Sequence, residues 1–154
     1  MPFDVTKIQP LALPPGYLLR ATRNGDEANG FRGATEQIAF IYTLADDWTH
    51  PLMVHFATAD GASDLFATET RLGESLTLHA GEVEARYHDG MWAPGPGLDE
   101  QRLGELVIHW MRDTMHSLTV NRGSQSIGVR GSRARGIRYA DLVTVAESLP
   151  TLTD

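Results

Sequence analysis

The chain has 154 residues, the length of one domain, and no cysteine, which excludes disulfides, thiolate zinc sites and cysteine nucleophiles. Hydrophobic residues make up 42% and charged ones 21%, the balance of a folded chain; 13 Lys+Arg against 20 Asp+Glu give a formal charge of −7, which weighs against general binding to nucleic acid or anionic lipid. No stretch approaches the roughly 20 apolar residues that span a bilayer, and the opening MPFDVTKIQP does not read as a signal peptide.

Pro2, Pro10, Pro14, Pro15 and Gly16 predict an extended arm over residues 1–16, with Phe3, Val5, Ile8, Leu11 and Leu13 laid against the domain. Tyr17–Arg23 reads as a first strand, and the pairs Asn24-Gly25 and Asn29-Gly30 place a loop after it that runs to Glu36. Ile38, Phe40, Tyr42 and Leu44 then fall on one face of a strand, with Ala39, Ile41 and Thr43 on the other. The turn Asp46–Pro51 leads to an antiparallel partner at Leu52–Ala57. Residues 58–74 are small and polar, with a short helix around Ser63–Thr70 as one reading. Leu76 and Leu78 alternate with Thr77 and His79; Val83, Ala85 and Tyr87 alternate with Glu84, Arg86 and His88, the clearest half-buried strand of the chain. Asp89-Gly90 is a hairpin signal that would return the chain through Met91-Trp92, and Pro94-Gly95-Pro96-Gly97 is a second break. Leu106–Met111, His116–Val120 and Ser126–Arg130 are three further strand-like runs. Tyr139, Leu142, Val143, Ala146 and Leu149 recur at helical spacing, and Pro150 stops the helix.

This order predicts one α+β domain over residues 1–154. Its parts are the arm (1–16), mostly antiparallel strands (17–138) and a C-terminal helix (139–149). The expected architecture is a curved antiparallel sheet of about six to eight strands with the amphipathic helix packed on one face.

Charge is uneven along the chain. Residues 121–138 carry Arg122, Arg130, Arg133, Arg135 and Arg138 and no acid, within an otherwise acidic protein. A solvated Gly-rich hairpin whose arginines pair with nearby acids is one reading; a site for an anion or acidic peptide is the other. Trp92 and Trp110 join these arginines as candidate binding residues, since aromatic side chains either belong to a core rim or line an apolar groove.

Catalytic signatures are missing. Gly95-Pro96-Gly97 lacks the third glycine and the strand-to-helix setting of a dinucleotide fingerprint, and no Lys-Ser/Thr pair follows Gly128–Gly131. Asp113, His116 and Ser117 supply the residue types of a hydrolytic triad, but a triad is assembled from separate elements, and neighbours along one hairpin do not meet that geometry. Of the six histidines, His55, His79, His109 and His116 fall on predicted strands, while His50 and His88 complete the set; none has metal-ligand spacing. The acidic pairs Asp26-Glu27, Asp46-Asp47, Glu82 with Glu84 and Asp99-Glu100 sit in turns or on a polar strand face and read as solvated. No cofactor, metal site or enzymatic activity is expected.

Three stretches resemble a bacterial domain of unknown function found at the extracytoplasmic C-terminal end of anti-sigma-factor-like membrane proteins and some lipoproteins. These are Pro2–Val5 with Leu13-Pro-Pro-Gly-Tyr17, then Val83–Gly90 followed by Leu106–Trp110, and lastly Asp141–Leu149 with its Ala-Glu-Ser-Leu ending. The stretch from Asn121 to Arg138 departs from that pattern in being longer and more basic. The resemblance implies the soluble ectodomain of a membrane-anchored regulator, outside the cytoplasmic membrane, that senses or binds a protein or amphiphilic ligand and contacts the membrane only through an anchor. The alternative is a lipid or lipoprotein carrier with an apolar cavity between sheet and helix, and a third reading is a hydrolase using Asp113, His116 or a histidine cluster.

Overall fold

Period-two alternation sends successive side chains to opposite faces, and long runs of it make most of the described residues strand. The computed structural model describes residues 12–25, 28, 31–32, 36–58, 63–64, 73–78, 83–97, 100–122, 125–133 and 136–149. In chain order the strands are β1 (Tyr17–Asn24), β2 (Phe31–Arg32), β3 (Gln37–Leu44), β4 (Leu52–Thr58), β5 (Ser63–Asp64), β6 (Gly73–Leu78), β7 (Val83–Pro94), β8 (Gln101–Leu103), β9 (Leu106–Arg122) and β10 (Gln125–Ser132). One helix, α1 (Tyr139–Ser148), ends the described chain. Among the described residues, eight strands form one antiparallel sheet in the order β1-β3-β4-β10-β9-β7-β6, with β8 paired to the start of β9; β2 and β5 form a separate two-stranded sheet. The molecule is therefore α+β: mostly antiparallel sheet with one C-terminal helix.

In-register neighbours share a face, so one face can be followed across the sheet. Ala85, Val120, Ile127, Phe56 and Ile38 stand in one such row, and Tyr87, Leu118, Val129, Val54 and Phe40 in the next. These rows, with Tyr17, Tyr42 and Leu52, make the hydrophobic core together with Ile137, Leu142, Val145, Ala146 and Leu149 at α1. The helix thus covers one face. Its first turn is fixed by the Asp141 carboxylate, which accepts the Arg138 backbone N–H at 2.8 Å and offsets the helix's positive end. Its last turn holds the chain just ahead of β1, since Ala12 N–H donates to Ser148 Oγ at 3.2 Å; residues 1–11 of the expected arm lie outside the described residues. No helix among the described residues is long and apolar enough to cross a membrane.

Three expectations change. Asp89-Gly90 is not a hairpin turn but lies inside the single twelve-residue strand β7. The ladder to β9 shifts there: Asp89 pairs with His116 and Met91 with Met111, so residues 112–115 stand opposite Gly90 alone. Gly90 has φ +117°, and a Cβ on it would run into the Met111 carbonyl and come within 2.8 Å of Trp110 Nε1. The glycine that looked like a turn signal serves a bulge. For the same reason Leu106–Met111 and His116–Val120 are not two strands but parts of one, β9, whose alternation lapses at the irregularity. Ser63–Asp64, read as the start of a short helix, forms β5, and the rest of that segment lies outside the described residues.

Candidate functional site

The sheet face turned away from α1 is also buried, yet its centre is polar. One row runs His88, Ser117, Arg130, Met53 and the adjoining one Arg86, Thr119, Gly128, His55, Ala39. Arg130 is 0% exposed, His88 and Ser117 each 1%, and His55 2%. Gln37 and Ser126 on the same face are buried as well. Small residues at Ala39, Ala57, Ser117, Ser126 and Gly128 surround the few large polar ones.

Arg130 is accommodated by Gly128, two residues earlier on the same face of β10. Its guanidinium folds back over the glycine, where a Cβ would collide with Nη1, Cζ and Nη2. From there Nη1 donates to His55 Nδ1 at 2.6 Å, and His55 Nε2–H donates to the Ala28 carbonyl at 3.0 Å. The direction is settled by charge: Arg130 can only donate, so His55 Nδ1 accepts and the proton sits on Nε2. Burial first, and then the Arg130 cation, holds the His55 imidazole well below its ordinary 6.5, outweighing the Ala28 carbonyl that pulls the other way. His55 is therefore neutral at neutral pH. Beside this pair the Trp110 ring meets His88 edge-on, with centroids 6.4 Å apart, and Trp110 Nε1–H donates to the Asp89 carbonyl at 2.9 Å. The Ser117 hydroxyl is buried with no hydrogen-bond partner among the described residues.

A second polar chain runs on the helix side. Arg133 Nε donates to Asp89 Oδ1 at 3.0 Å and Arg133 Nη2 to the Tyr87 hydroxyl oxygen at 3.0 Å. The Tyr87 O–H lies 2.8 Å from His116 Nδ1, and His116 Nε2–H donates to the Ile137 carbonyl at 2.6 Å. Ile137 comes this close to the sheet because Gly131 lies beneath it; a Cβ there would stand 2.6 Å from Ile137 Cγ2. His116 is held below 6.5 chiefly by burial, with the Ile137 carbonyl opposing and Arg133, Asp89 and Asp141 as lesser charges.

These contacts decide where the sequence candidates stand. Arg130 is inside the polar face rather than on a solvated hairpin. Arg133 stands on the other side of the sheet in an ion pair with Asp89. Arg138 is exposed ahead of α1, 3.6 Å from Asp141. Arg122 ends β9 opposite Gln125, and Arg135 lies outside the described residues. The five arginines therefore do not form one patch. Trp110 is buried, and Trp92 is its register partner on β7. His116 and Ser117, adjacent in sequence, face opposite sides, as alternation requires, and both His116 ring nitrogens are already engaged. Asp113 lies in the irregular stretch of β9. His109 bonds the Gly95 carbonyl at 3.0 Å and His50 the Asp47 carboxylate at 3.1 Å, while His79 lies outside the described residues. Among the described residues no three metal-ligating side chains come together. The sequence reading did not pair His55 with Arg130 or Tyr87 with Arg133. The one local signal was Gly128, two residues before an arginine on a strand otherwise apolar on its core side.

No family model, curated protein or solved structure matches the chain. What the site can do therefore rests on its own chemistry. At this face the described residues set a buried cation, Arg130, beside a neutral imidazole, His55, with the Ser117 hydroxyl and the His88 ring close in the same rows.

Proposed function

We propose that the chain is a non-enzymatic sensing or binding module, acting outside the cytoplasmic membrane as the soluble ectodomain of a membrane-anchored regulator. The observation that supports it most is the second buried face of the sheet. This face places Arg130, His55, His88 and Ser117 at its centre, where an apolar filling would avoid the cost of burying polar groups. Concave recognition sites use such a small set of placed polar groups. The sheet is read as curved, because the ladder irregularities at Leu19/Ala21 and Asp89/Met91 bend the strands that contain them.

The stretches that resemble the extracytoplasmic family have structural work here. Gly16, at φ +85°, admits the Leu44 side chain that a Cβ would meet at 2.6 Å and turns the chain into β1. Ser148 of the Ala-Glu-Ser-Leu ending holds Ala12, and Leu149 closes the core. Leu142, Val145, Ala146 and Leu149 fill the interface between helix and sheet, which favours the polar face over an apolar space between sheet and helix as the ligand's place.

Two measurements test this reading. Native mass spectrometry of the whole chain should show added mass, lost on denaturation, from a bound ligand or protein. In the native cell, protease added outside the cytoplasmic membrane should cut the protein, and recovery of an uncut chain wholly with the cytosol overturns the ectodomain assignment.

A further inference from the structure

We propose that Tyr87 is a nucleophilic modification site whose phenolic oxygen takes up an activated acyl or sulfonyl group, with His116 as the base and Arg133 as the cation beside the oxygen. This goes beyond ligand binding and rests on a different face of the sheet from the polar row.

A phenol is a weak nucleophile until a base takes its proton and a positive charge stabilises the oxygen left behind. Tyr87 has both. Its hydroxyl lies 2.8 Å from His116 Nδ1, the ring nitrogen left to accept because Nε2–H is committed to the Ile137 carbonyl at 2.6 Å. Arg133 Nη2 donates to the same oxygen at 3.0 Å, and Asp89, through Arg133 Nε at 3.0 Å, fixes the guanidinium in place. The charged groups around His116 come from three elements: Asp89 on β7, Arg133 after β10 and Asp141 on α1. Burial keeps the imidazole neutral at neutral pH, in the form that accepts a proton. Tyr87 is half-buried, not enclosed, and the Arg133 side chain is 40% exposed, so an electrophile reaches the oxygen from solvent.

The other phenols lack this setting. Tyr42 is enclosed in the core, and burial pushes its phenol far up. Tyr17 is also buried. Tyr139 is exposed and packs edge-on against Tyr87 with ring centroids 4.9 Å apart, but no described residue bonds its hydroxyl. It is an internal control at the same place on the surface. With an aryl sulfonyl fluoride the step balances without any further reagent. The Tyr87 oxygen attacks sulfur, its proton passes to His116 Nδ1, the S–O bond forms, and the S–F bond breaks with fluoride leaving; the imidazolium then returns its proton to solvent.

The test is competitive labelling of the whole chain with 4-methylbenzenesulfonyl fluoride, read by peptide mass spectrometry. Tyr87 should be modified on the order of tenfold faster than Tyr139 at pH 7.5, a modest share of what a positioned base supplies. Its rate should fall at acid pH as His116 takes up a proton, whereas Tyr139 should not follow that profile. In Arg133→Gln, a substitution at a partly exposed side chain, the Tyr87 rate should drop toward that of Tyr139 with the melting temperature nearly unchanged. Equal or faster labelling of Tyr139 in the unaltered protein overturns the proposal, as does a Tyr87 rate that Arg133→Gln leaves unchanged. Neither result bears on whether the polar face binds a ligand, which native mass spectrometry reads separately.

Discussion

Glycine decides where the buried cation can go. Arg130 lies over Gly128, and a methyl group at that position would occupy the space of the guanidinium. Gly128→Ala should therefore push Arg130 off His55 and lower stability by about 1–3 kcal/mol, the usual cost of overpacking a filled site. Thermal unfolding would show it as a fall of several degrees, and an unchanged melting temperature would mean that the guanidinium has another place to lie. His55 makes a prediction of opposite kind, about protons. Folded His55 is neutral because its pKa lies well below 6.5, while the unfolded chain's histidine protonates as pH falls through about 6.5. The unfolded state then holds more protons, so its stabilising contribution is complete above that pH and is lost progressively as pH drops toward the depressed folded value. The slope reaches at most about 1.4 kcal/mol per pH unit for this one group, and His116 adds a smaller term of the same sign. His55→Gln keeps one donor and one acceptor but does not titrate. Urea unfolding between pH 5 and 7.5 should give a visibly flatter acid slope for that variant; equal slopes would remove His55 as the source. None of this was readable from the row of arginines, because a side chain that folds back across its own strand leaves no periodic mark in the sequence.

The elements divide into those whose partners are local and those whose partners are distant. The helix was legible because its evidence is local: apolar residues at helical spacing and a proline after the end. Even so, the stripe rotates slightly. Tyr139 is exposed, and Val145 joins Leu142 and Ala146 on the buried side. Leu142 has no exposure and touches the strand core, so Leu142→Ala should cost about 2–5 kcal/mol through lost burial and the cavity left behind. Thr144, exposed one position from Val145, should tolerate alanine within about 0.5 kcal/mol. Chemical denaturation of both variants separates a helix held by its inner face from one held by its own propensity, in which case the two costs would converge. The long strand β9 was harder to see. Residues 112–115 interrupt its alternation where the ladder slips, and a bulge looks like a loop when only the period is read. On β1 the same device is smaller: Arg20, skipped between the Leu19 and Ala21 pairings, reaches the Ala45 carbonyl at 2.8 Å and Thr43 Oγ1 at 3.2 Å, tying the edge to the β3–β4 turn.

Across the whole molecule, the strand order is what a single sequence conveys least. β4 and β9 are far apart in the chain, yet both pair with β10, which begins three positions after the end of β9 and lies along β4. That placement brings Arg130 of β10 to His55 of β4, so the candidate face exists only once a long-range pairing has formed. The same order predicts how stability is distributed. β4 and β10 each have a strand on both sides and buried side chains on both faces, whereas β1 ends the order among the described residues and exposes most of its side chains, Leu18 at 61% included. Opening β1 exposes little apolar surface and breaks one ladder; opening β10 breaks two and uncovers both the core and the polar face. Amide hydrogen exchange should therefore find peptides from β4 and β10 exchanging only through global unfolding, with rates that follow the denaturant dependence of the whole protein, and peptides from β1 exchanging orders of magnitude sooner through local fraying. Protection of β1 equal to that of β10 would require a neighbour along its outer edge, and the strand order drawn here would then have to be extended by one.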